Sequence, residues 1–155
     1  MLDIKMISLF LHLLSAVVWV GGMFFAYMAL RPIAAQQLEP PVRLTLWTGV
    51  FQKFFPWVWA SVLFLPLTGY NLMFSIWGGF AGAPLYVHLM NGIGILMILI
   101  YMHVYFAPFK RLKMAVAIQD WPDGGKRLNQ IRMLIRINLS LGLIVIAIVA
   151  GGRYL

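Results

Sequence analysis

Residues 6–30 form an apolar run without a single aspartate, glutamate, lysine or arginine, and further runs follow at about 54–76, 85–109 and 132–150. In the last run the arginines are confined to its first turns. A helix needs about 20 such residues to cross a hydrocarbon core about 30 Å thick. Only helices and closed barrels satisfy their own backbone at that depth, and runs of this length fit helices. The expected fold class is therefore an all-α integral membrane protein, a four-transmembrane-helix bundle forming one domain over residues 1–155.

With 63% hydrophobic and 10% charged residues, the chain has too little polar surface for a soluble globule. It has no cysteine, which removes disulfides, thiolate metal sites and thiol catalysis. The first run starts after Asp3 and Lys5 and lacks a clean small-residue cleavage site, so it reads as a retained helix. Arg31-Pro32 is expected to close it, because proline disfavours helix at the preceding residue.

All lysines and arginines except Lys5 and Arg153 lie in two stretches, 31–53 and 110–136, whereas the glycine-rich connection 77–84 has none. The positive-inside rule predicts that both basic stretches are cytoplasmic and both termini lie outside, in a bacterial inner membrane. The net charge of +8 then follows from topology, and no nucleic-acid partner is implied. The carboxylates Asp3, Glu39, Asp120 and Asp123 all fall in termini or connections, so neither a hydrolase nor a carboxylate-driven pump has machinery here.

The residues that call for a function are His12, His88 and His103, each inside an otherwise uncharged run. An ionisable group at membrane depth costs about 2.5–3.5 kcal/mol on insertion scales and so marks a site. In the predicted topology His12 and His88 enter from the same side, within about 5 Å of one another along the membrane normal. Two imidazoles at one depth on separate helices could clamp the iron of a haem b. Ser15, Trp19 and Gly22 share the His12 face, and Asn91 and Gly92 lie beside His88, supplying small residues that would admit a flat macrocycle. His103 lies about 22 Å deeper than His88 and about 60° around its helix, where a second haem would need Met28 or another non-His ligand as its partner. Arg153 and Lys5 could meet the propionates of an outer haem. Arg132 and Arg136 read as the flank of a span.

Copper is the alternative metal, since imidazole with thioether suits copper(I) and Met1, Met6, Met73 and Met90 lie toward the same side as His12. A third reading is a membrane subunit without a cofactor, its histidines merely hydrogen-bonded. The redox partner of a haem protein could be a quinol, copper or another small molecule, and a homodimer is compatible with the sequence.

The stretch 11–26, with His12 followed seven residues later by Trp19 and then Gly21, Gly22 and Ala26, resembles the first helix of the copper resistance protein D (CopD) family. It is also similar to HemJ-type protoporphyrinogen oxidases, whose third helix is resembled by His88, Tyr101-Met-His103 and the basic run Lys110 to Lys113. Position 90 is Met where the HemJ pattern carries Lys, so a cation for a porphyrin carboxylate is missing. The resemblance implies a four-helix membrane protein handling haem b or copper, with His12 and His88 as ligands, His103 a lesser one, and possible oxidoreductase activity.

Overall fold

The computed structural model describes residues 3–152 and 154. Four long helices account for nearly all of them: α1 (Ile4–Gln37), α2 (Pro40–Trp77), α3 (Leu85–Ala117) and α4 (Trp121–Gly152). Each is long and apolar enough to cross a membrane, so the chain is a multi-pass membrane protein. No strand occurs among the described residues.

The helices outrun the apolar stretches. The connection expected over 31–53 is helical except at Leu38 and Glu39, and that over 110–136 except at 118–120. Hydropathy marks only the part of a helix that meets lipid, and the flanking Arg, Lys, Gln and Leu are good helix formers in water. Pro32 does not end α1 as expected. A π-turn over Ala26–Leu30 precedes it, with the Arg31 N–H bonded to the Ala26 carbonyl, and the wider turn takes up the missing donor. A second π-turn, Tyr105–Phe109, contains Pro108 in α3.

Local chemistry sets the ends. Asp3 caps α1 by accepting the Lys5 N–H at 3.0 Å. Two extended residues followed by Pro40-Pro41 restart the chain as α2. Gly78 at φ +73° and Gly79 at φ +119° close α2 in a conformation that L side chains avoid. Asp120 accepts the Asp123 N–H at 3.2 Å and opens α4.

The main pairings are α1 on α2 and α3 on α4, with α4 also reaching α1 and α2. Gly142 permits the close approach of α4, since a Cβ there would stand 2.9 Å from Val20 Cγ2 and 3.3 Å from Met97 Cε. The half of the bundle nearer the charged connections, here the basic end, is an aromatic core. Phe55 stacks on Phe51 with ring centroids 5.1 Å apart and meets Phe109 edge-on at 4.7 Å. Tyr101 donates to the Phe55 carbonyl at 3.1 Å, and Asn138 to that of Met97 at 3.2 Å. The opposite half, the turn end near Gly78, is held differently: its buried side chains include Ser8, Ser15 and Thr68.

Candidate functional site

A polar seam runs between α1 and α2 toward the turn end. Ser8, His12 and Ser15 recur at helical spacing along α1, while Thr68 and Asn71 lie one turn apart on α2. The Ser8 hydroxyl donates to Asn71 Oδ1 at 3.2 Å, and His12 Nδ1 lies 3.0 Å from Thr68 Oγ1. Gly69 makes this approach possible, because a Cβ there would sit 3.1 Å from His12 Cε1.

The threonine decides which imidazole nitrogen carries the hydrogen. Thr68 donates its hydroxyl hydrogen to the Phe64 carbonyl at 2.6 Å. A hydroxyl has one hydrogen to give, so toward His12 it can only accept. Neutral His12 is thereby assigned the Nδ1–H tautomer, with a bare lone pair at Nε2. Metal-ligating histidines are built in this way, one nitrogen tethered by a neighbour and the other left for the ion.

The other histidines lie elsewhere. His88 is exposed on α3 and stacks on Phe80, with ring centroids 6.4 Å apart and planes 25° from parallel. Phe80 in turn packs against Tyr70 and Phe74 of α2. At about 100° per residue, Tyr70 and Phe74 lie about 200° and 240° around α2 from Thr68. His12 and His88 therefore approach α2 from different flanks. His103 is exposed near the basic end of α3.

The residues expected to make room for a macrocycle are also dispersed. Ser15 is buried, and Trp19 is buried edge-on against Tyr101 at 6.1 Å. The space beside Gly22 is filled by the Phe54 ring, which a Cβ at that position would strike. Gly92 faces open space with no atom within 4 Å of a Cβ, and Asn91 is half-buried. Arg153 lies outside the described residues. These positions do not fit a haem held between His12 and His88, because one ring is tied to α2 and the other is turned away around it. Among the described residues no group of three His, Cys, Asp or Glu side chains gathers as a metal site, so further ligands to an ion at His12 would come from other residue types.

Thr68, Gly69 and Asn71 were not singled out by sequence reasoning. Their signal was present as two polar residues, three apart, inside an apolar run, which is the spacing of one helix face.

Comparison with the curated proteins and with the solved structures finds no match. The family model described as copper resistance protein D matches residues 48–151, which include Thr68, Asn71, Met73 and His88 and stop short of His12. That match spans α2 from Thr48 onward, all of α3 and almost all of α4, and the chain belongs to the copper resistance protein D family.

Proposed function

We propose that this protein handles copper(I) in the turn-end half of the bundle, with His12 Nε2 and the Met73 thioether as its ligands. The observation that carries this reading is the Thr68 tether, which holds His12 in the tautomer a metal ion requires. Family membership supplies the ion. Met73 is buried, whereas Met6 is exposed and Met90 lies two residues from His88 on α3. Met73 follows Gly69 by four residues, one turn toward the turn end and about 40° around α2. Side chains on a helix lean toward its N-terminus, which favours an approach of Met73 toward the level of Gly69, the residue against which the His12 ring rests. Imidazole with thioether is a soft pair suited to copper(I).

The concentration of positive charge at the other end supports a bundle oriented with its turn end outward, so that the site takes copper from outside the cell. Titration of the detergent-purified protein with copper(I) against a chromophoric chelator tests the reading. His12→Ala and Met73→Leu should each lose most of the affinity, and His88→Ala and His103→Ala should keep it. Wild-type affinity in His12→Ala overturns the proposal, and a Soret band that disappears in that variant would restore haem b as the ligand of the same residue.

A further inference from the structure

At the basic end, α1, α2 and α4 border a partly enclosed cavity of about 260 Å³ whose lining includes three arginines, Arg31, Arg43 and Arg132. No carboxylate lines it. Asp3 is at the other end of α1, Asp123 is taken by Arg127 at 3.3 Å, and Glu39 and Asp120, which precede the lining residues Pro40 and Trp121, form no ion pair with these arginines, the Asp123–Arg127 pair being the one among the described residues. The arginines are held by weaker partners. Arg31 lies over the Tyr27 ring, 4.5 Å from its centroid, and its buried Nε has no hydrogen-bond partner. Arg43 reaches the Ala35 carbonyl only at 3.5 Å, whereas Arg132 donates to Asn129 Oδ1 at 2.6 Å.

Three like charges around one partly enclosed space repel each other, and most of their five N–H donors apiece are left over. A planar fork of donors matches the oxygens of a phosphate, and basic pockets between membrane helices bind lipid headgroups. The volume lies below the range of about 300–1,000 Å³ typical of pockets for drug-sized molecules, and so suits a single anionic group. Trp121 lines both this chamber and an open apolar groove along Val42, Leu46, Val50 and Trp57 of α2, a path an acyl chain could follow.

We infer that the chamber is a phosphate-binding site, filled by the headgroup of a phospholipid or by a soluble phosphate ester. The site is independent of the copper reading, since it lies at the opposite end of the bundle from His12.

Thermal unfolding of the full chain in neutral detergent tests it, with phosphatidylglycerol or glycerol phosphate as probes. Stabilisation by phosphatidylglycerol alone identifies the lipid as the source, and stabilisation by glycerol phosphate identifies the soluble ester. In either case Arg31→Gln and Arg132→Gln should weaken the apparent affinity about tenfold or more, as expected for lost charge-assisted hydrogen bonds. The paired change Lys110→Gln with Arg111→Gln removes exposed cations from the same end and should leave the response intact. Arg31→Lys keeps the charge without the fork and should also lose affinity, with helical circular dichroism unchanged. No response to either probe, or equal loss in the Lys110/Arg111 variant, overturns the inference.

Discussion

Thr68→Val separates a packing role for His12 from a ligand role, because it changes one atom of the tether and little volume. Valine replaces the hydroxyl by a methyl group, leaving the Phe64 carbonyl without its 2.6 Å side-chain bond and His12 Nδ1 without its 3.0 Å acceptor. Hydrogen bonds between membrane helices contribute about 0.6 kcal/mol on average and up to about 1.7 kcal/mol. Unfolding in mixed micelles should therefore show a loss of about 1 kcal/mol, held down because the imidazole can move its hydrogen to Nε2 and find another partner. That escape removes the lone pair a metal needs. Loss of a ligand's outer partner typically weakens metal binding by about 10- to 100-fold, equivalent to about 1.4–2.7 kcal/mol. Copper(I) affinity should thus fall further than stability does, while Thr68→Ser, which keeps the hydroxyl, should retain both. If Thr68→Val binds copper(I) within about twofold of the wild type, the tautomer is not set by this contact and the ligand assignment loses its basis.

Gly69→Ala places a methyl 3.1 Å from His12 Cε1 and should lower copper affinity by displacing the ring, though less than Thr68→Val; unchanged affinity would mean that the seam tolerates a shift of that size. Gly22→Ala drives a Cβ into the Phe54 ring and should cost about 1–3 kcal/mol of stability, most of it recovered with Phe54→Leu; a double variant no more stable than Gly22→Ala alone would refute the steric origin. A reporter fused after Gly79 should behave as external and one after Asp123 as cytoplasmic, and the opposite pattern would invert the proposed orientation.

The first three helices were legible because lipid imposes a length, and no other short-range pattern places more than 20 residues without charge in a row; the fourth has a shorter uncharged stretch, 137–152, and reaches that length only with Arg132 and Arg136 in its first turns. The starts of α2 at Pro40 and α4 at Trp121 were not legible, since those turns lie where hydropathy no longer discriminates helix from loop. The partner of His12 was hidden for a related reason. In a soluble helix the apolar stripe shows which face meets the core, but in lipid both faces are apolar and the periodicity falls silent. Depth could be counted from helix ends, which is how His12 and His88 are expected to lie level. Direction around the bundle could not, and it puts Phe80 and His88 on the flank of α2 away from Thr68.

The same blindness to direction concealed the arginine chamber. Arg31, Arg43 and Arg132 read along the chain as topology signals, and their convergence depends on α1 and α2 continuing as helices beyond the apolar runs. Had 31–53 been a loop, as expected, those side chains would have stood in water, where separate cations need no counterion. Because the helices continue, the three arginines are brought to the lining of one space, and the electrostatic problem this creates is local. The aromatic core from Phe51, which itself lines the chamber, to Phe109 separates that chamber from the His12 seam and is closed by edge-on ring contacts. Packed cores do not deform continuously but change by discrete rearrangement, so an anion at the basic end should leave the copper affinity of the turn end unchanged unless the core itself repacks. Measuring copper(I) affinity with and without phosphatidylglycerol decides the point, and a tenfold coupling would show that Phe55 and Tyr101, which join α2 to α3 at the centre of that core, have a second arrangement.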